Sequence, residues 1–435
     1  MSREMRHSGI EWIGEIPKEW EVMPFKQMYE LSKGLSITKS DLVEEGIPVI
    51  SYGQIHSKTN TGTTIKDELI RYVPDRFLDG NASSLVKKGD VIFADTSEDL
   101  DGCGNCVYID RDNAIFAGYH TIIAKYQSST PNNYLSYLFK TDCWRSQIRS
   151  SVNGVKLFSV PQRLLGSTTI IFPPLSEQQK IANYLDKVCG EVDEMIALQE
   201  HMIEELKAYK QSVITEAVTK GLNPDVPMKD SGIDWIGEVP EHWNLHQFRR
   251  IFVIKKIIAG TLGYDVLSVT QNGIKVKDLT KNEGQIAQDY SKYQLVDVHD
   301  YVMNHMDLLT GYVDCSKQVG VTSPDYRVFR AIDKTQISLS YYLKIFQTCY
   351  KEKIFYHLGQ GVSGMGRWRL PADQLKLFYL PMPPLSEQQS IASYLDTKCA
   401  EIDALIAIKQ AKIEELKDYK KSVIYEYVTG KKEVI

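Results

Sequence analysis

An α+β architecture is predicted: two mixed α/β domains separated by two long conserved helices that pack as an antiparallel coiled coil, with a pseudo-twofold internal repeat. Three observations predict it. Blocks of sequence occur twice, one pair of blocks carries apolar residues at helical spacing, and the stretches between blocks hold short β-branched runs bounded by turn residues.

The repeat comes in two boxes. SGIEWIGEIPKEWEV from Ser8 is paired with SGIDWIGEVPEHWNL from Ser231, 223 residues later, and PPLSEQQKIANYLD from Pro173 with PPLSEQQSIASYLD from Pro383, 210 residues later. The second box runs on without a gap through IEELKAYKQSVITEAVT and IEELKDYKKSVIYEYVT, with 30 of 47 positions identical. Between boxes the halves diverge, keeping echoes at the same offset of 210: Asp90 with Asp300, Gly154 with Gly364 and Pro161 with Pro371. The divergent middles are expected to share a fold and differ in surface. The expected domains are 1–172, a central helix 173–222, a second domain 223–382 and a distal helix 383–435.

After each PPLSEQQ the apolar residues Ile181, Leu185, Val188, Val192 and Met195, and their counterparts Ile391, Leu395, Ile402 and Leu405, recur at steps of three, four and seven. Neither segment has an internal proline, so each is predicted to run ~38 residues, or ~57 Å. Such helices expose too much apolar surface to stand alone, and the natural partner of each is its twin, with Glu204, Glu205, Lys207 and Lys210 facing water. Ser176 and Ser386 are expected as N-caps, with Gln179 and Gln389 in capping-box spacing. In the middles, Asp90–Ala94, Asn105–Ile109, Thr121–Ala124 and Tyr301–Asn304 predict strands, while Asn133–Ile148 and Ser338–Phe355 predict helices.

Composition bounds the class. The chain has 435 residues, 43% hydrophobic and 25% charged, an ordinary globular balance. Seven scattered cysteines argue against a disulfide framework. The amino terminus lacks the pattern of a secretory signal and no stretch approaches ~20 apolar residues, so cytoplasmic residence is expected. The net charge of −5 counts against bulk electrostatic coating of nucleic acid. The two predicted helices carry all of that excess, however, so it says little about the domains.

Motifs for catalysis do not assemble. Gly359-Gln-Gly361-Val-Ser-Gly364 matches a dinucleotide loop in spelling, but a predicted helix precedes it where a strand is required, and Pro371 interrupts the stretch where the loop's helix would have to run. Cys103-Gly-Asn-Cys106 has half a zinc site's spacing without a second pair of ligands, and reads as a tight turn. No Walker A loop, HExxH or nucleophile elbow occurs. Both Pro-Pro steps lack the leading Asn or Asp and the following aromatic with which amino-methyltransferases hold a flipped base. His120 and His305 are solitary and read as structural. The expectation is a chain without catalytic residues, bound metal or cofactor.

What remains is polar loop chemistry suited to base edges. Arg and Lys match guanine O6 and N7, and Asn and Gln match adenine N6 and N7, in the major groove. The candidates are Gln54, Lys58, Tyr119, His120, Lys156 and Arg163 in the first half, and Gln271, Asn272, Asn304, Gln360, Arg367 and Arg369 in the second. The loops 153–158 and 360–369 are favoured because glycine there lets backbone approach a ligand.

The paired PPLSEQQ boxes, the helices ending IEELK.YK.SVI.E.VT and the two SGI[ED]WIGE[IV]P leaders carry a likeness. Over essentially its full length the chain resembles the specificity subunit of type I restriction-modification enzymes. The resemblance implies that the divergent middles are target recognition domains held in inverted orientation by a coiled coil, reading a bipartite, asymmetric double-stranded DNA site with a nonspecific spacer. It implies two modification subunits as partners, which carry S-adenosylmethionine and methylate adenine, and restriction subunits that use ATP and Mg for translocation and cleavage. Under it the helix pair would set the spacer, so one turn inserted near Ala197 is expected to change spacer length. The alternative is a coiled-coil scaffold that binds proteins without reading DNA.

Overall fold

The computed structural model describes residues 3–128, 130, 133–154, 156–279, 287, 289–362 and 367–434, with the side chains of Val362 and Arg367 outside the description. The chain divides into two compact units, Met1–Gln199 with Ala411–Ile435, and Glu200–Gln410. Among the described residues no helix is long and apolar enough to cross a membrane.

The first unit is built on an antiparallel sheet of β1 (Tyr29–Lys33), β2 (Val91–Ala94), β3 (Cys106–Tyr108) and β4 (Thr121–Tyr126), in the order β3-β2-β4-β1. All four residues of β2 are buried, as a continuous apolar run between two covered faces requires. A second four-stranded sheet, in which Phe116–Ala117 run parallel to Val49–Ile50, is added beside it. The predicted helix over Asn133–Ile148 is two helices, α1 (Tyr134–Lys140) and α2 (Asp142–Arg149), because Thr141 turns to extended backbone and receives the amide of Trp144 on its hydroxyl. Cys103 and Cys106 pack in the same core as Trp144 and Ile148, so the CxxC is core and turn.

The second unit repeats the plan. Strands β5 (Phe252–Lys255), β6 (Tyr301–Met303), β7 (Val313–Cys315) and β8 (Arg327–Ala331) form an antiparallel sheet in the order β7-β6-β8-β5. First-to-fourth in chain order, the strand sequence is the one seen in the first unit. The echoes fall on equivalent places: Asp90 and Asp300 immediately precede β2 and β6, and Pro161 and Pro371 each precede a short helix, Gln162–Ser167 and Ala372–Leu377. Gly364 lies outside the described residues.

Two long helices, α3 (Leu175–Lys220) and α5 (Leu385–Val428), exceed the predicted ~38 residues, with 46 and 44; between them lies α4 (Leu339–Lys351). In the first unit the opening of α3 packs antiparallel on the end of α5: Tyr184 meets Tyr427 with ring centroids 4.4 Å apart, and Lys420 Nζ lies 2.6 Å from Asp193. In the second unit Lys210 Nζ makes the twin contact, 2.6 Å to Asp403. Lys210 therefore does not simply face water as its helical position suggested; it joins two helices.

The predicted caps are a correction. Leu175 and Leu385 already lie in helix, so Ser176 and Ser386 are second residues, and Gln179 Nε2 donates to Asn183 Oδ1. The neighbouring glutamine serves the start instead: buried Gln178 and Gln388 donate through Nε2 to the carbonyls of Pro173 (2.7 Å) and Pro383 (2.9 Å). The box glutamates hold the leaders, because Trp20 Nε1 donates to Glu177 at 3.0 Å and Trp243 Nε1 to Glu387 at 2.9 Å. Each leader also closes on a helix end. Gly430 ends α5 at φ +69, where a Cβ would collide with the Pro17 ring and stand 3.1 Å from Trp20; Gly221, after α3, approaches Trp243 in the same way. The leader is repeated because each unit needs one helix end sealed.

Candidate nucleic-acid interface

In the first unit, β2 ends and β4 begins at one place, and four rings gather there. Tyr52, on the short helix Tyr52–Ile55, has ring centroids 5.8 Å from Tyr119, 5.7 Å from His120 and 6.0 Å from His56. His120 holds a left-handed backbone at φ +54, its carbonyl accepts from the Asp95 amide, and its Nδ1 lies 3.3 Å from Asp95 Oδ1. His56 Nε2 donates to the Thr96 carbonyl (2.8 Å), which leaves Nδ1 to accept from Asn105 Nδ2 (3.1 Å).

Of the first-half candidates, Tyr119 and His120 stand in this cluster. Gln54 is beside it on the helix of Tyr52, but its carbonyl oxygen accepts from the Ser51 amide at 3.1 Å, so part of its hydrogen-bonding capacity is spent on the cap. Lys58 comes in the next turn, exposed at the surface of the same unit. Exposed Lys156 lies on the loop leading to Phe158–Ser159, which pairs with Thr96–Ser97 and so approaches the same end. Arg163 stands on Gln162–Ser167, a helix whose Leu165 is buried in the core and whose Gly166 faces Leu31, and no contact ties it to the rings among the described residues.

Sequence reasoning missed Tyr52, His56 and the acidic wall beside them. A cleft of about 490 Å³ is lined by Tyr52, His56, Glu98, Asp99, Asp101 and Asn105. Carboxylates there are acceptors of the kind that take cytosine N4, and the imidazoles and amides add donors. The signal for Tyr52 was an aromatic residue two positions before Gln54; for His56 none existed, since its partners are 40 and 49 residues away.

The second unit builds the corresponding end from hairpins. Gln271 and Asn272 form the two-residue turn between Leu267–Thr270 and Gly273–Val276; Gln271 Nε2 reaches the Thr310 carbonyl at 3.5 Å. Gln360 and Arg369 are directly opposed in a second hairpin and so share a face. Trp368, on the same strand as Arg369, is anchored by Nε1 donating to the Tyr356 carbonyl at 2.7 Å. Asn304 is half-buried, with Oδ1 accepting from the Met306 amide. The side chain of Arg367 lies outside the described residues, as does the tip of the Gly-rich loop.

His305 occupies the place that Asp95 holds in the first unit: the Val160 amide donates to the Asp95 carbonyl at 2.7 Å, and the Leu370 amide to the His305 carbonyl at 2.9 Å. Burial, aided by the cations Arg327, Arg369 and Lys256, pushes the His305 pKa down to about 3. Its neutral ring, with Nδ1 buried and unpartnered among the described residues, sits near Arg369.

Two polar ends on a duplicated scaffold match the family comparison. The profile of the type I restriction modification DNA specificity domain matches residues 17–208 and again 257–418. The chain belongs to this family. As a type I specificity chain it carries the domain twice. It is 23% identical over 426 residues to the putative type I restriction enzyme MjaX specificity subunit of Methanocaldococcus jannaschii, covering 96% of this chain and 95% of that one. In fold it is similar to a chain solved in work on complex assembly and conformational transition of the type I R-M system (TM-score 0.68, 16% identity, 95% of this chain and 99% of that one). The HsdS subunit from Thermoanaerobacter tengcongensis is a second such neighbour (TM-score 0.50, 15% identity, 95% and 98%).

Proposed function

We propose that this specificity chain reads a bipartite double-stranded DNA target without catalysing a reaction itself, residues 1–172 reading one half-site and 223–382 the other. The observation that carries the reading is the duplication of one sheet plan with two unlike polar ends: Tyr52, Tyr119 and His120 in one unit, Gln271, Gln360 and Arg369 in the other. A scaffold for binding one protein twice would keep the ends alike and let the core drift; here the clamp is kept and the ends diverge. Sequence is read by groups that can stack on or hydrogen-bond with base edges, and both ends supply them.

Catalysis belongs in this reading to partners. Two modification subunits would bring S-adenosylmethionine and methylate adenine, and restriction subunits would bring ATP and Mg for translocation and cleavage, all in the cytoplasm. With the net charge at −5, those partners would also supply many of the phosphate contacts. The test is domain exchange. Residues 23–172 are replaced by the corresponding segment of another specificity chain, the hybrid is expressed with its modification subunit, and the methylome is sequenced. One half of the methylated motif should change while the other half stays. A motif altered in both halves, or in neither, would overturn the assignment.

A further inference from the structure

The first unit holds a second cleft, of about 1080 Å³, which shares Asp101 and Asn105 with the ring-lined cleft. Its apolar lining includes Trp12 and Ile196, and its charged wall sets Lys140, Arg145, Arg149, Lys417, Lys420 and Lys421 beside Asp101, Asp142 and Asp193, an excess of cations. Lys420 is held by both oxygens of Asp193 at 2.6 Å. Arg145 has no carboxylate among the described residues: Nε donates to the Phe139 carbonyl (2.9 Å) and Nη1 to Asn105 Oδ1 (2.7 Å). Half-buried Lys140 ends α1 and its ammonium makes no ion pair or hydrogen bond among the described residues. It also lines an adjoining cleft of about 540 Å³ with Asp186 and Cys189.

An ammonium so placed is costly. Desolvation first, then Lys420 and Arg145 against the pull of Cys189 and Asp193, pushes the Lys140 pKa down to about 8. The second unit repeats the setting: Lys351, at the end of α4, lies under the influence of Lys210, Cys399 and Asp403 as Lys140 lies under that of Lys420, Cys189 and Asp193. Lys140 is the more enclosed of the two, half-buried where Lys351 is exposed.

We propose that this cleft docks an acidic peptide segment of a partner protein, a carboxylate entering between Lys140 and Arg145 while apolar side chains cover Trp12 and Ile196. Charge complementarity selects the occupant's sign, and depth selects its class. A carboxylate on a flexible Asp or Glu side chain reaches a recessed ammonium, whereas duplex phosphates lie on a broad convex surface. Arg145 is tied through Asn105 to His56, whereas Lys140 makes no contact with the ring cluster among the described residues, so the Lys140 variants separate this inference from base reading.

The experiment uses the full chain and a fluorescein-labelled, end-blocked peptide of alternating Glu and Leu, followed by anisotropy at low salt. Its Gln–Leu counterpart and a short nonspecific duplex serve as comparison probes. The Glu–Leu peptide should bind at least tenfold more tightly than the Gln–Leu peptide. K140M and K140Q should each weaken the acidic peptide about tenfold and leave the duplex unchanged. W12A, at a residue 42% exposed and so safe for folding, should weaken it severalfold. No binding of the acidic peptide, equal binding of both peptides, or full affinity in the Lys140 variants would overturn the proposal. So would a duplex affinity that falls tenfold in K140M while peptide affinity holds, which would place phosphates in the cleft.

Discussion

Asp90 and Asp300 close the same turn of the same sheet plan, one in each unit, and are held in different ways. Asp90 accepts only backbone amides among the described residues, Lys87 on Oδ2 and Tyr126 on Oδ1, both at 2.9 Å. Burial raises its pKa in spite of those donors. Asp300 also accepts an amide, from Asp297 at 2.9 Å, but adds Lys255 Nζ at 2.8 Å and Arg330 Nε at 2.9 Å. The turn geometry is kept while neutral donors are exchanged for cations. A backbone plan can thus be inherited twice while the side chains around it are rewritten, which is the freedom two independent readers need.

If the scaffold is truly shared, its common parts must fail alike. Trp20 and Trp243 are each at most 1% exposed and each donates to the glutamate of a PPLSEQQ box. Replacing either with alanine should cost about 3–5 kcal/mol, read from urea unfolding of the unit that contains it. A large cost in one unit and almost none in the other would break the equivalence.

The aspartates should separate where the tryptophans agree. Asp300→Asn leaves Lys255, 7% exposed, without one of its two carboxylates, and should cost about 3 kcal/mol. Asp90→Asn removes no cation's partner but keeps only one accepting oxygen, leaving one backbone N–H opposite an amide nitrogen, so about 1–2 kcal/mol is expected. Equal losses in matched denaturation curves would mean that the ion pairs in the second unit contribute nothing net.

The scaffold was legible in the sequence because it obeys periodicities: steps of three, four and seven marked the long helices, and short β-branched runs marked β2, β3, β4 and β6. The helix starts were misread because Ser176 and Gln179 have the spacing of a capping box, while the group that serves the start, Gln178, works by burial against Pro173. The candidate site was legible only by residue type. Gln271, Gln360 and Arg369 stand on hairpins. Gln54 is partly consumed by a cap, and His56 is placed by contacts across 40 residues that no local pattern encodes.

At the reading ends the comparison becomes one of half-sites. Arg369 shares a hairpin face with Gln360 and stands near a histidine that burial keeps from charging. Arg369→Ala should relax discrimination at one position of one half-site by about 1–3 kcal/mol while leaving the other half unchanged. Lys58→Ala in the first unit should instead weaken all sequences evenly and lower the salt slope by about one. Base-by-base binding competition at two salt concentrations distinguishes these outcomes, and a uniform loss in the Arg369 variant would demote that residue to a phosphate contact.

The smallest effect expected concerns His305, and its sign comes from linkage. The ring titrates near 6.5 when unfolded but is pushed down to about 3 in the fold, by burial first and then by Arg327, Arg369 and Lys256. Between those values the unfolded chain binds the extra proton. The stabilisation is therefore complete above about pH 6.5 and is lost progressively as pH falls toward 3. His305→Asn, which cannot take up that proton, should flatten the acid limb of the second unit's stability and leave its value at pH 7 nearly unchanged. Asp95 fills this place in the first unit with a group that cannot become cationic, so the acid limb there should keep its shape. An unchanged acid limb in the variant would show that the proton is taken up elsewhere, and that the neutral ring near Arg369 does not set how this end responds to pH.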